Sequence, residues 1–353
     1  MIVCDCRPTT APDCTTYLFK KQPAIVMFGK INAPYQCAVN RCMINHRLLD
    51  HYQIDTSKDL GIKDICPRPY DTVLIDSMGS CFACECTSWL PVSIGNLHRQ
   101  DLDTILQSPV RRKMQQSVSD GTYRYCNNRQ CTYLLANRVY NWHGEHALKE
   151  IRLATDNSCN LSCPSCRTKK IFIKSGKMLR MRHTLSDRVV QYLEHHRSPI
   201  KVHIGSDGDP FASLIYRRFM RISQHLPHLS YSIQTNGLLC KQMYPRVRSM
   251  FEKLRTLNVS IDGASQHTYE SLRRGGSWHK IMDNLRFIKE LKQVHEFEFK
   301  LHMVVQKSNW HEMLKMCELG DSVDADQVVL NRIEDWQTYN NFNEQKVPEN
   351  TEV

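Results

Sequence analysis

The chain has 353 residues, with 47 Lys and Arg against 36 Asp and Glu, 16 His and 16 Cys. That length leaves room for two domains, or for one large α/β domain with an appendage, and neither needs disulfides to hold its core. No stretch of some twenty apolar residues is present, which argues against a membrane-spanning helix, and the net charge of +11 suits an anionic partner such as RNA, a nucleotide or an acidic peptide.

Residues 1–8 carry an aspartate and two cysteines where the apolar core of a secretion signal would lie, so no such signal is expected. Eleven of the 16 cysteines precede Ala147, and they fall in close clusters rather than dispersed pairs. Clustered thiols fit a reducing, cytoplasmic setting in which they bind metal or carry out redox chemistry. Residues 1–60, with Cys4, Cys6, Cys14, Cys37 and Cys42, form a candidate metal-binding unit of their own. Residues 61–140 hold Cys66, Cys81, Cys84, Cys86, Cys126 and Cys131, and their clearest helix spans 102–117, interrupted near Pro109. With so little amphipathic pattern, this region is expected to draw part of its stability from metal. Cys4-x-Cys6 followed by Cys37-x4-Cys42 is echoed by Cys84-x-Cys86 followed by Cys126-x4-Cys131, a hint of duplication. The boundary to the next region is placed at 138–146.

From Ala147 the pattern becomes regular. Strand-like runs at 151–155, 201–204, 230–234, 257–261, 297–305 and 327–331 alternate with helical stretches at 185–195, 211–225, 241–254, 266–293 and 310–319. Such alternation is the signature of βαβ units and a parallel sheet. Six strands point to a partial (β/α)6 TIM-like barrel over 147–340, since the closed eight-stranded form needs about 250 residues. The stretch 167–183 holds Arg167, Lys169, Lys170, Lys174, Lys177, Arg180 and Arg182 with no acid, and reads as a solvated face or an anion-facing surface. Cys240 and Cys317 fall on helical stretches and are expected to be buried small apolar residues. Residues 341–353 read as a flexible polar tail.

Just after the first strand of this region come Cys159, Cys163 and Cys166, in x3-then-x2 spacing. The C-terminal ends of parallel strands are where ligands collect in α/β folds. Three thiolates can hold three irons of a [4Fe–4S] cube and leave the fourth without a protein ligand; a zinc site is the alternative for cysteines this close. Gly205, Gly208 and Asp209 end the second strand, in Gly-Ser-Asp-Gly-Asp-Pro, and glycines there permit close backbone approach to a ligand. Gln234-Thr-Asn-Gly237 ends the third strand and Ser260-Ile-Asp-Gly263 the fourth.

Taken together, these strand-end motifs resemble the radical SAM superfamily. The resemblance implies a [4Fe–4S] cluster on Cys159, Cys163 and Cys166, with S-adenosylmethionine completing its open iron. It further implies that Gly205, Gly208, Asp209, Asn236, Ser260, Asp262 and Arg273 line the cofactor pocket, Ser260 and Arg273 toward the ribose and the methionine carboxylate. One electron then cleaves the sulfonium to a 5'-deoxyadenosyl radical that takes hydrogen from a substrate. In 66–131, Cys66, Gly79-x4-Cys84, the Gly95-Asn96 turn and Cys126-x4-Cys131 resemble a SPASM or twitch domain. That likeness implies an auxiliary Fe–S cluster with ligands drawn from Cys66, Cys84, Cys86, Cys126 and Cys131, placed ahead of the core rather than behind it; Cys81, Cys84 and Cys86 compete for places, and a structural zinc site is the alternative. The expected substrate is a peptide or protein, with a sugar, nucleotide or RNA as runner-up, and the expected electron donor a reductase, flavodoxin or ferredoxin. A non-catalytic metal-binding or nucleic-acid-binding protein is the reading of another class.

Overall fold

The structure, a computed structural model, describes Leu49 and residues 65–127, 131–135 and 147–347. Cys4, Cys6, Cys14, Cys37 and Cys42, and with them the first half of the suspected duplication, lie outside the described residues. The chain divides into two compact units, Met1–Ile151 and Arg152–Val353. The division falls inside a strand, a few residues later than the composition change had placed it.

In the first unit α1 (Arg68–Asp71) leads into β1 (Thr72–Asp76), β2 (Ser80–Phe82) and β3 (Gly95–Asn96). The three strands are antiparallel neighbours, with Leu74 opposite Phe82 and Ser80 opposite Asn96. Asp76 makes the β1–β2 turn by accepting the N–H groups of Met78 and Ser80 on Oδ1 at 2.8 Å each, and Gly79 supplies the positive φ of 78° that the turn requires. The helix expected at 102–117 is two, α2 (Leu102–Leu106) and α3 (Pro109–Ser119). Ser108 accepts the Arg111 N–H at 3.2 Å as N-cap and Pro109 occupies the first helical position, so the break is a new helix start rather than a kink. The buried Arg111 then ties the pieces together, donating to the carbonyls of Pro69, Leu106 and Tyr70 at 3.0, 2.7 and 2.5 Å. A short α4 (Thr132–Leu135) follows, and β4 (Glu150–Ala154) spans the division.

The second unit has the expected (β/α)6 order. After β4 come α5 (Gly176–His195), β5 (Ile200–Ile204), α6 (Leu214–Ser223), β6 (Leu229–Thr235), α7 (Cys240–Phe251), β7 (Leu254–Ser260), α8 (Gln266–Leu272), α9 (Trp278–Lys292), β8 (Glu298–Val305), α10 (Met313–Ser322) and β9 (Gln327–Arg332). Strands β4 to β9 are neighbours in sequence order, and β5 to β9 pair in parallel. Val202, Tyr231, Ile233, Leu257, Val259, Phe299 and Leu301 are fully buried on these strands. The helices cover them with apolar faces at helical spacing, as in Ile215, Phe219 and Met220 of α6 and Ile281, Leu285 and Ile288 of α9.

Several expectations need correction, beginning with the helix expected at 185–195, which starts nine residues earlier at Gly176. The single helix at 266–293 is split by Arg273–Ser277, where Gly275 has φ 91° and Ser277 caps α9. The stretch 310–319 opens as a 3-10 turn, Trp310–Glu312, before α10 begins. Cys240 is buried, but Cys317 is exposed on α10. In the segment read as a tail, Phe342–Gln345 form a 3-10 turn, and the N–H of Lys307 donates to the Gln345 carbonyl at 2.9 Å. No helix among the described residues is long and apolar enough to cross a membrane.

Candidate iron–sulfur centres

The loop after β4 is anchored before it reaches its first cysteine. Asp156, fully buried, pairs with the guanidinium of Arg182 on α5 and accepts the Ser213 hydroxyl at 2.6 Å. The Tyr216 hydroxyl bonds the backbone of Leu153 and Asp156 at 3.0 to 3.1 Å. Arg182 is therefore spent on a buried pair, and of the seven cations in 167–183 only Lys169, Lys170, Lys174, Lys177 and Arg180 are exposed. The loop continues as a bridge, with Cys159 N–H to the Ile171 carbonyl at 2.8 Å. It closes as a turn in which the Cys163 carbonyl accepts the N–H groups of Cys166 and Arg167, both at 2.9 Å.

Each of the three cysteines is met by its own donor. Asn236 Nδ2, at the end of β6, lies 3.7 Å from Cys159 Sγ, which also accepts the Leu161 N–H at 3.4 Å. Arg273 Nη1, just past α8, lies 3.9 Å from Cys163 Sγ. Arg167 places Nε and Nη2 at 3.3 Å from Cys166 Sγ. Exposure is graded: Cys163 is buried, Cys159 intermediate and Cys166 exposed. Burial, with the charge of Asp209 second, pushes the Cys159 thiol up to about 12; burial raises Cys163 too, against the pull of Arg273.

The remaining strand-end residues sit around this loop. Asp209 is buried and its carboxylate is fully engaged: Oδ2 accepts the Thr235 hydroxyl at 2.6 Å and the Asn236 N–H at 2.9 Å, and Oδ1 accepts the N–H groups of Phe211 and Ala212 at 3.1 Å each. It locks the loop after β5 to the loop after β6. A Cβ on Gly205, whose φ is 117°, would run into the Gln234 carbonyl, and one on Gly208 would lie 2.5 Å from the Ser158 carbonyl oxygen. These glycines are thus demanded by loop-on-loop packing as well as by any ligand. Asp262, at φ 57°, accepts the Val304 N–H at 2.8 Å and pairs with Arg273 at 2.8 Å, while Ser260 ends β7 opposite His302. Burial disfavours the charged form of Arg273, but Asp262 and Cys163 outweigh it and the guanidinium is held cationic. Its Nε is buried without a hydrogen-bond partner.

Several supporting residues had escaped sequence reasoning. Glu312, in the turn before α10, accepts the Ala264 N–H and the hydroxyls of Ser265 and Thr268 at 2.6 to 2.7 Å, fixing the start of α8 and so the position of Arg273. Asn309 donates to the carbonyls of Asp262 and Val304 at 2.9 Å each. Neither carries a motif signal. Arg167 did carry one, since it directly follows the third cysteine.

In the first unit, Cys66, Cys84, Cys126 and Cys131 are electrostatic neighbours in every pairing, and Cys86 adjoins Cys84 and Cys126. Burial pushes the Cys66 thiol up to about 12 and raises Cys126 and Cys131. A hydrogen bond from the Cys86 thiol to the Cys84 sulfur lowers Cys84 and raises Cys86 well above its ordinary value. Cys81 stands apart: burial, with the charge of Asp76 second, pushes its thiol up, and that thiol faces the Gly79 carbonyl at 3.7 Å. Cys66 packs with Tyr70, Val118 and Tyr123, and its N–H donates to the Tyr123 hydroxyl at 3.0 Å. Arg68 bonds Glu85 and Glu150 and lies 5.0 Å over the Tyr133 ring. Among the described residues no three His, Cys, Asp or Glu converge as tightly as a single metal ion demands; a multi-iron cluster spaces its ligands more widely.

Comparison with known proteins adds to this geometry. The family description "Radical SAM superfamily" matches residues 155–320, which contain Cys159 through Arg273 and beyond. "Iron-sulfur cluster-binding domain", SPASM, matches residues 66–132, from Cys66 past Cys131. A GTP 3',8-cyclase of Lactiplantibacillus plantarum is 26% identical over 162 residues, 44% of this chain and 46% of the relative, so the chain spans about half the length of the curated relative it matches. Among solved structures, Streptococcus suis SuiB bound to S-adenosylmethionine shares 12% identity over 53% of this chain and 39% of that one, with a TM-score of 0.38. The structure of anSMEcpe with bound AdoMet shares 18% identity over 53% and 52%, with a TM-score of 0.39. A radical SAM core implies a [4Fe–4S] cluster and S-adenosylmethionine, and a SPASM domain implies auxiliary Fe–S binding. The donor sets fit: three thiols on one loop, each with an N–H donor beside it, and an unpartnered guanidinium N–H near them. Residues 155–320 thus carry a radical SAM domain, and residues 66–132, ahead of it in sequence, an iron–sulfur cluster-binding SPASM domain.

Proposed function

We propose that this chain is a radical SAM enzyme that uses Cys159, Cys163 and Cys166 to hold the cluster at which S-adenosylmethionine is reductively cleaved, and that it abstracts hydrogen from a peptide or protein substrate. The observation that carries the cluster reading is the separate N–H donor aimed at each of the three sulfurs. When bound, the cluster and S-adenosylmethionine together supply a 5'-deoxyadenosyl radical. The chain's own residues bind and orient. Gly205 and Gly208 bring backbone close to the cysteine loop, Asp209 holds Asn236 in reach of Cys159, and Asp262 sets the Arg273 guanidinium whose free Nε suits a carboxylate. Ser260 stands at the adjacent strand end for a sugar hydroxyl. In the SPASM domain Cys66, Cys84, Cys126 and Cys131 are the proposed ligands, and Cys86 the thiol that donates to Cys84.

A nucleotide substrate is the second reading, favoured by the 26% identity to a GTP 3',8-cyclase and the net charge of +11. The test is to reconstitute the protein anaerobically, add a strong reductant, and quantify 5'-deoxyadenosine from S-adenosylmethionine with and without peptides or nucleoside triphosphates. Product from the intact protein and none from Cys163→Ala is expected. Silence from fully iron-loaded protein with every candidate would sink the enzyme reading, and stimulation by nucleotides alone would replace the peptide.

A further inference from the structure

Arg167 has more hydrogen bonds than a loop residue needs for its fold. Its Nη1 donates to the Asn157 carbonyl at 2.6 Å and its Nη2 to the Asp207 carbonyl at 2.6 Å. Those carbonyls belong to the loops after β4 and β5, so the planar fork is held from two sides. Nε and Nη2 then meet the sulfur of Cys166, both at 3.3 Å. Cys166 is the exposed member of the three, the corner where water would otherwise be the donor.

The reduction potential of an iron–sulfur cluster is set by its net charge, by hydrogen bonds to its sulfurs and by its exposure. Taking up one electron adds one negative charge to cluster and ligands. A fixed cation with two N–H groups on one ligand sulfur stabilises the reduced form more than the oxidised form. We propose that Arg167 is a positioning residue that raises the potential at which the cluster on Cys159, Cys163 and Cys166 accepts one electron from a low-potential one-electron donor. The proposal rests on the reading that these cysteines hold a [4Fe–4S] cluster. Lysine could keep the charge but not the fork, because its ammonium is a point donor on a flexible stem.

The experiment is an EPR-monitored redox titration of the anaerobically reconstituted full chain. The signal that changes shape on adding S-adenosylmethionine identifies the core cluster, and a signal from the SPASM domain serves as internal reference. In Arg167→Gln the one-electron reduction should become at least tenfold less favourable, about 59 mV more negative for a one-electron couple. Arg167→Lys should shift the same way by less, and the reference signal should stay put. Potentials within twofold of wild type in both variants overturn the proposal. Should Arg167→Gln fail to load iron, an unmoved potential in loaded Arg167→Lys overturns it alone. A wild-type protein with no S-adenosylmethionine-sensitive signal would instead remove the cluster reading beneath it.

Discussion

In Arg152–Val353 three cysteines share one eight-residue loop, and two of them are met by donors from a distant strand end and helix end. In Met1–Ile151, by contrast, five neighbouring thiols come from three short stretches around Cys66, Cys84 and Cys126. The first arrangement hangs on a parallel sheet whose strands β5 to β8 are packed with fully buried apolar residues. The second has two- to five-residue strands, an arginine tied to three carbonyls, and a small apolar cluster around Cys66. Metal is therefore expected to be a passenger on a finished scaffold in the one case and a structural member in the other.

The largest test of that contrast is iron removal. Stripping the chain should erase amide-exchange protection around Cys66, Cys84 and Cys126 while leaving β5 to β8 protected; equal loss in both units would end the distinction. Next come the glycines. Gly205→Ala should cost about 3 kcal/mol, from positive φ and a backbone collision, whereas Gly176→Ala, at φ 82° with nothing within 4 Å, should cost about 1 kcal/mol. Similar shifts in denaturant midpoint for the two would mean that the loop after β5 yields easily. Asp209→Asn weakens four hydrogen bonds to a buried carboxylate and should cost about 2 kcal/mol; an unchanged melting curve would show that the loops after β5 and β6 do not depend on it. The smallest effect should be shared by both sites. Burial holds the Cys66 and Cys159 thiols up at about 12, so each keeps its proton in the ligand-free chain and releases it to iron. Loading should therefore weaken as pH falls and strengthen as it rises, in parallel for the two sites; iron and sulfide per chain across a pH series would show any divergence.

The second unit was legible because its physics is periodic. Alternating burial along β8, alternating apolar residues along β6 and apolar spacing along α6 and α9 leave a signal in any short window, and all six strands were found within a few residues. What periodicity hid was punctuation: the Gly-Gly pair after Arg273 divides one apparent helix, whereas the interruption near Pro109 was visible and is a new helix start. The cysteines were visible as spacing, but the side chains around them were not. Glu312 and Asn309 act through contacts 44 to 48 residues away in sequence, which no local pattern encodes. The glycines at 205 and 208 were read as room for a ligand, and part of their necessity is room for neighbouring backbone.

The donors beside the cysteine loop also set a limit on transplantation. Asn236 and Arg273 stand 77 and 110 residues from the sulfurs they approach, and Asn236 is itself held by Asp209. A peptide copied from 159–166, or the same eight residues grafted onto another scaffold, would export three thiols and leave most of their surroundings behind. The portable unit is the ring of strand ends, so shuffling this chemistry between proteins requires moving the sheet with it.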